Sequence, residues 1–255
     1  MVTGVVLILT IGISKPDRGE KPDDDESFRV AELRPEPNTR VPRSGLPAPI
    51  DRPHASDAKQ LAAWARQVEE VTDIPARALE AYGRTEMWLR SESPRCRLSW
   101  TTLAGIGRAE SRHGGFGDSR IDDKGDMTRP IFGPALDGAP GLRKIGDTDQ
   151  GKLDGDTKWD RAVGPMQFLP ETWLRWRARA SRDGDPPDPQ NIDDAALTAG
   201  RFLCGEGEDV ATRKGWWRAV MRYNNSVAYA QDVFSGAEAY ALASDATTVT
   251  PKPSS

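Results

Sequence analysis

One acidic residue on a predicted helix is the best candidate for acid–base chemistry in this chain. The helix is predicted over the segment SWTTLAGIGRAESRHGG, residues 99–115. At 3.6 residues per turn, Leu103, Ile106 and Glu110 share one face, which directs the carboxyl towards the core. Burial disfavours the charged form of a carboxyl, so we expect a raised pKa and a general acid near neutral pH. An ion pair with a neighbouring arginine of the same helix is the structural alternative.

A second segment, AVGPMQFLPETW at residues 162–173, suits the recognition of a sugar. The amide of Gln167 both donates and accepts hydrogen bonds, as hydroxyl and N-acetyl groups require. Gly164 would let a substrate approach the backbone closely. The alternative is a turn before a helix with Pro170 at its first position and Met166 in the core.

A third segment, MRYNNSVAYA at residues 221–230, offers Tyr223 and Asn224 as neighbours of the acid. Either side chain could orient the carboxyl or an acetamido group of the substrate. Asn224 could instead end a helix, as Asn often does. We expect Ser226 to cap the last helix.

Taken in order, these motifs resemble a known family. An E-S pair, then G-P-M-Q-F-x-P-x-T-W, D-P-Q-N-I-D-D-A-A and Y-N-x-S-x-x-Y are similar to the membrane-bound lytic transglycosylase B type family, actinobacterial branch. The resemblance covers roughly residues 74–240. It implies a lysozyme-like helical domain with a cleft and one essential Glu, matched by Glu110. It also implies a set of substrate-binding residues, namely Ser111, Gly164, Met166, Gln167, Tyr223 and Asn224.

The resemblance implies cleavage of the peptidoglycan glycan strand with a single carboxylate and no cofactor. Most glycosidases need two carboxylates. In this family the muramoyl C6 hydroxyl attacks C1 and gives a 1,6-anhydro end. Asp118 and Glu86 are the carboxylates that could serve as a second group, although a structural hydrogen bond is the simpler role for Glu86. The competing functions are a hydrolytic muramidase and a wall-binding module without turnover.

The Asp-rich segments do not predict a metal site. Asp183, Asp185 and Asp188 resemble a calcium loop, but two prolines interrupt it and no bidentate Glu closes it. Asn191 with Asp194 is better explained as a helix cap. The run DTDQGKLDGDTKWD, residues 147–160, suggests either calcium-ordered turns or solvated Asp-Gly turns, and we favour the turns.

The histidines and cysteines indicate no further catalysis. His54 and His113 belong to no Ser-His-Asp or Cys-His arrangement, which argues against peptide-bond cleavage. Cys96 and Cys204 lack the spacing of a metal site. A disulfide and a pair of buried thiols both fit, and export would favour the disulfide.

The periodicity predicts a mainly α domain over residues 56–243. Helices are expected after Ser56, after Pro75, from Ser99 to Gly114, after Pro170, after Asn191, over WWRAVMRY, and from Ser226 to about Leu242. Residues 115–160 are rich in Gly, Asp and Pro without sustained periodicity. We expect this long irregular insertion to line the cleft.

The two ends have a different character. Residues 1–14 contain a short apolar run that resembles a truncated signal or membrane anchor. Residues 15–55 and 244–255 are rich in Pro and polar residues and predict a disordered linker and tail. We therefore expect an exported protein, secreted or tethered to the outer face of the membrane.

Composition narrows the partners. The chain of 255 residues has 35 Lys and Arg against 39 Asp and Glu, a formal charge of -4. Both signs are interspersed, so no basic block could neutralise a phosphate backbone, and nucleic acid is not expected as a partner. We expect a monomer.

Overall fold

The computed structural model describes residues 28–37, 39–46 and 55–249 of the chain. This part is mainly helical, as predicted. Its α-helices are α1 (Ala55–Glu69), α2 (Ala76–Glu92), α3 (Trp100–Ser111), α4 (Pro170–Trp176), α5 (Ile192–Cys204), α6 (Arg213–Tyr223) and α7 (Val227–Val249). Every helix expected from the periodicity is present. Outside the helices, strand-like pairing among the described residues is limited to isolated bridges.

Side chains at the predicted N-caps define several helix starts. Asn191 accepts hydrogen bonds from the N–H groups of Asp193 and Asp194, so its predicted capping of α5 is confirmed. Pro170 opens α4 at its first position. Ser226 lies just before α7 and its hydroxyl accepts from the N–H of Tyr229 at 3.3 Å.

The start of α3 is capped from another helix. Ser99 occupies the N-cap position, but its side chain makes no capping hydrogen bond. Glu86 of α2 instead accepts from the N–H of Trp100 at 2.7 Å and pairs with Arg90. The structural role expected for Glu86 is therefore observed. This carboxylate fixes where α3 begins and hence where its last turn lies.

Helices α3 and α7 cross in very close contact. A Cβ on Gly105 would lie 2.4 Å from the carbonyl oxygen of Val233, and a Cβ on Gly236 would lie 3.3 Å from the Cα of Gly105. Arg108 pairs with Asp232 one turn further along. Since later residues of α3 meet earlier residues of α7, the two helices run antiparallel.

A buried chain of hydrogen bonds holds α2, α3 and α7 together. The hydroxyl of Tyr240 donates its proton to Asp73 at 3.0 Å. The oxygen of Tyr240 therefore accepts a hydrogen bond from Nε2 of His113 at 2.9 Å. Nδ1 of His113 in turn accepts from the hydroxyl of Tyr82 at 3.2 Å. Burial lowers the pKa of His113 to about 3, which keeps the imidazole neutral. His113 thus has a structural role.

A disulfide joins Cys96 to Cys204 across 108 residues of sequence. It ties the segment before α3 to the end of α5. Of the two interpretations of these cysteines, the disulfide is the one observed. In the chain-entropy description, closing a loop of this length stabilises the fold by about 4 to 5 kcal/mol.

Part of the predicted linker packs on the helices. Phe28 stacks on Tyr240 at 5.5 Å, and Val41 is 6% exposed in the core. The N–H of Leu33 donates to Ser235 of α7 at 2.9 Å. Isolated anchors of this kind carry no periodicity, which is why the sequence indicated a linker here.

The other predicted boundaries have mixed outcomes. Helix α7 continues to Val249, beyond the expected start of the tail at residue 244. Val71 is 37% exposed, because α1 ends at Glu69, two residues before it. The apolar run of residues 1–14 lies outside the described residues. No helix of the described part has the length and apolar character to cross a bilayer.

Residues 115–160 are irregular, as expected. They contain a short 3-10 helix, Phe116–Asp118, and isolated bridges. Aspartate side chains accept from nearby backbone N–H groups, for example Asp122 from Lys124 and Asp156 from Lys158. These local bonds satisfy backbone groups that no sheet or helix pairs.

Replacing Gly105 by Ala is expected to destabilise the protein although Ala is the better helix former. The added methyl must push α3 away from α7, and overpacking costs about 1 to 3 kcal/mol against a helix-propensity gain of about 1 kcal/mol. Thermal and urea denaturation of Gly105→Ala measure this loss. Gly45→Ala, where a Cβ meets nothing within 4 Å, is the control. A Gly105→Ala variant more stable than wild type by about 1 kcal/mol, the helix-propensity gain alone, would contradict the close crossing.

Candidate active site

Glu110 lies in the last turn of α3 and is 9% exposed. The helix stops directly after it, because Arg112 and His113 adopt left-handed φ angles of 53° and 57°. The N–H of His113 then bonds back to the carbonyl of Gly107 at 2.9 Å. The backbone therefore leaves the helical path after Ser111, and Glu110 lies at the C-terminal end of α3.

The environment of Glu110 favours its protonated form. Burial raises the pKa of this carboxyl to about 8, while the hydroxyl of Tyr229, which donates to Oε1 at 2.6 Å, acts in the opposite direction. Arg108 of the same helix pairs with Asp232. Among the described residues, Glu110 is thus buried and held by the hydroxyl of Tyr229.

Tyr229 is the site residue that the sequence analysis did not single out. It lies in the first turn of α7 and is half-buried, and burial together with the Glu110 charge raises its pKa. It is the last residue of the Y-N-x-S-x-x-Y motif, which was the available signal. An aromatic residue at the start of an apolar helix is usually explained by packing, so the motif alone did not indicate the contact.

The segment Gly-Pro-Met-Gln, residues 164–167, forms a tight turn beside the end of α3. Ser111 donates to the carbonyl of Pro165 at 2.6 Å, and Tyr223 donates to the carbonyl of Met166 at 2.7 Å. Ser111 also accepts from the N–H of Gly114 at 2.8 Å. These two predicted substrate-binding side chains are 2% and 0% exposed, so in this structure they hold the turn in place.

Within this turn, Gly164 and Gln167 adopt positive φ angles of 76° and 47°. A Cβ on Gly164 would lie 1.8 Å from the carbonyl oxygen of Pro189, so the backbone that approaches this glycine is the protein's own. The Gln167 amide donates to the carbonyl of Gly164 at 2.9 Å and is 2% exposed. Its side chain therefore braces the turn that carries it.

Met166 and Asn224 are also buried. Met166 is 0% exposed, in line with the core interpretation. Asn224 is 2% exposed and occupies the C-cap position of α6 with extended dihedrals. Tyr223 just before it is close enough to Glu110 for that charge, after burial, to raise its pKa well above 10. The predicted residues thus gather around the end of α3, and Glu110, at 9% exposed, is the least deeply buried side chain among them.

Of the two candidate second carboxylates, Glu86 lies at the far end of α3 from Glu110. Glu86 accepts from the N–H of Trp100. Trp100 precedes Glu110 by ten residues on α3, which corresponds to about 15 Å along the helix axis. Asp118 is exposed on the 3-10 helix. Burial and Tyr229 alone account for the pKa of Glu110.

Comparison of this chain with known protein families finds no match. Comparison with curated proteins finds no match, and comparison with solved structures finds none either. The motifs and the geometry of the site are what support a function.

Glu110→Gln is expected to stabilise the protein at neutral pH. Because the folded-state pKa of about 8 lies above the usual 4.5, the wild type loses stability as pH rises from about 4.5 to 8, and Gln has no charge to bury. The gain should be about 4 kcal/mol at pH 7.5 and should vanish near pH 4. Chemical denaturation of both proteins across this range measures it. A difference that is independent of pH would show that Glu110 has an ordinary pKa.

Proposed function

We propose that this protein is a peptidoglycan lytic transglycosylase with a lysozyme-like fold and Glu110 as its only acid/base. The bond cleaved is the β-1,4 linkage between N-acetylmuramic acid and N-acetylglucosamine. The observation that carries the proposal is a buried carboxyl with a pKa of about 8, held by Tyr229 where three of the family-like motifs meet.

The proposed reaction uses one carboxyl twice. Glu110 donates its proton to the bridging oxygen as the bond from that oxygen to C1 of the muramoyl residue breaks. The resulting carboxylate then takes the proton of the muramoyl C6 hydroxyl as its oxygen bonds to C1. The products are a free 4-hydroxyl on N-acetylglucosamine and a 1,6-anhydro end, and Glu110 returns to its acid form.

The surroundings of Glu110 favour an internal nucleophile over an activated water. Hydrolytic glycosidases place their two carboxyl groups about 5 to 9.5 Å apart. Neither Glu86 nor Asp118 influences the pKa of Glu110, and Glu86 is separated from it by the length of α3. A substrate that supplies its own hydroxyl needs no second carboxylate.

Tyr229 and the 164–167 turn have supporting roles in this proposal. Tyr229 occupies Oε1 of Glu110, so Oε2 is the oxygen that faces the glycosidic bond. The turn, fixed by Ser111 and Tyr223, forms a wall beside the acid. Such rigid support keeps the acid aligned with its substrate.

The proposed location is outside the cytoplasm, in the cell envelope or the medium. The Cys96–Cys204 disulfide is typical of an oxidising compartment. Peptidoglycan, the proposed substrate, lies there as well.

Mass spectrometry of the soluble products from purified peptidoglycan tests the activity. Wild type should release anhydromuramoyl ends, and Glu110→Gln should reduce the rate by at least about 100-fold, because general acid catalysis contributes 10²- to 10⁴-fold. Glu171→Gln removes an exposed carboxylate of α4 and is the matched control. Reducing ends would indicate a muramidase, and binding to insoluble peptidoglycan without release would indicate a wall-binding module.

Tyr229→Phe is expected to move the pH profile of this reaction. The acid form of Glu110 is active, so kcat/KM of wild type should fall as pH rises through about 8. The Tyr229 hydroxyl favours the carboxylate form of Glu110, so removing it should raise the pKa of Glu110 and shift the fall in kcat/KM to higher pH. The rate should also be about tenfold lower, because Glu110 loses the contact that aligns it. Tyr82→Phe, which removes a buried hydroxyl bonded to His113, is the control. An unchanged profile in Tyr229→Phe would refute the role of this hydroxyl.

A further inference from the structure

Three aspartates of the irregular segment, none of them assigned to the candidate active site, meet in one group. Asp147, Asp149 and Asp160 each contribute a carboxylate oxygen to a group whose atoms all lie within 4.8 Å of one another. Asp149 is 6% exposed and Asp160 is 1% exposed, while Asp147 is half-buried. We refer to these three residues as the aspartate cluster.

The carboxylate oxygens of the cluster accept several hydrogen bonds from nearby residues. Asp147 accepts from the N–H groups of Asp149 and Gly151 at 3.0 and 3.1 Å. Both oxygens of Asp160 accept from Thr148, one from its N–H and one from its hydroxyl, each at 2.8 Å. These bonds fix the directions of the carboxylates and leave lone pairs available on their oxygens.

One oxygen of the cluster has no donor at all. Oδ2 of Asp149 accepts from the N–H of Leu153 at 2.8 Å, whereas Oδ1 is buried and accepts from no N–H or hydroxyl group that the structure describes. The carboxyl of Asp147 lies within hydrogen-bonding reach of the Asp149 carboxyl. A buried carboxylate oxygen without a partner costs the full desolvation penalty of the group. A ligand that supplies positive charge would remove this cost.

The charged groups that act most strongly on the aspartate cluster are other carboxylates. The charges that act most strongly on Asp149 are those of Asp154 and Asp147, and those acting on Asp160 are Asp154 and Asp149. Arg161, the next residue in the chain, pairs with Asp156. The ammonium groups of Lys144 and Lys158 lie over the ring of Trp159. Several carboxylates are therefore packed together, and the strongest charges that act on Asp149 and Asp160 are negative.

We propose that the aspartate cluster binds a calcium ion through Asp147, Asp149 and Asp160. Calcium is held at about 2.3 to 2.6 Å by oxygen ligands, so two of its ligands lie within about 5 Å of each other, as these do. Carboxylate ligands on an irregular loop suit calcium, which tolerates variable geometry, better than magnesium. A set of oxygens without imidazole or thiolate does not favour zinc or copper.

The position of the site suggests what the ion stabilises. Residues 161–163 lead directly from Asp160 to the 164–167 turn. Along this path the N–H of Gly133 donates to Ala162 at 2.8 Å, and Val163 exchanges backbone hydrogen bonds with Phe168. An ion at the aspartate cluster would fix the start of the segment that carries the turn. The site itself does not depend on the proposed enzymatic activity.

Calorimetric titration of the chelator-treated protein with CaCl2, together with melting curves, tests the proposal. Wild type should bind one calcium ion with a Kd of about 0.1 to 1 mM, and 10 mM calcium should raise Tm by about 3 to 8 °C. Asp149→Asn and Asp147→Asn should weaken binding at least about tenfold and lose most of the shift in Tm. Asp183→Asn, in the loop that resembles a calcium site by sequence, is the matched control and should bind like wild type.

Two results would overturn the proposal. The first is a wild-type protein that shows neither heat of binding nor a shift in Tm up to 10 mM calcium, which would mean that the carboxylates share a proton instead. The second is calcium binding that Asp183→Asn abolishes and Asp149→Asn leaves unchanged, which would place the ion in the other loop. Melting curves without calcium show whether each variant is folded.

Discussion

The close crossing of α3 and α7 is the constraint on which the candidate site depends. Gly105 and Gly236 let the two backbones approach, and only at this separation does the first turn of α7 reach the last turn of α3. The hydroxyl of Tyr229 then lies 2.6 Å from Glu110. A larger side chain in the crossing would separate the pair without touching either member. The chemistry of the carboxyl is thus set by packing five residues away along the helix.

The same end of α3 also positions the 164–167 turn. Ser111 contacts the turn from α3 and Tyr223 contacts it from α6, each through a backbone carbonyl. Two buried hydroxyls of different helices therefore fix one loop at two consecutive residues. Sites held in this way lose little alignment to thermal motion, because each anchor is itself locked by its helix. Residues that resemble substrate ligands by motif can serve the site by supporting its shape.

The helices and the burial of Glu110 could be predicted because their signals are local. Glu110 shares a face with Leu103 and Ile106, and burial follows from that face alone. The contact with Tyr229 could not be predicted, because it joins residues 119 positions apart through a helix crossing. The same reason explains Gly164, whose close neighbour is Pro189 in a later segment. Non-local packing, which the pattern of one segment does not contain, decided each of these cases.

The packing of the segment before α1 could not be predicted from its sequence either. Residues 28–46 have the composition of a linker, yet Phe28 and Val41 find apolar surroundings supplied by the helices. Composition describes what a segment can bury by itself, whereas burial depends on the surface that the rest of the fold offers. A segment of this kind is stabilised only after α7 and α3 are in place. Its packing therefore depends on the surface that the helical core presents, with Phe28 resting on Tyr240 of α7.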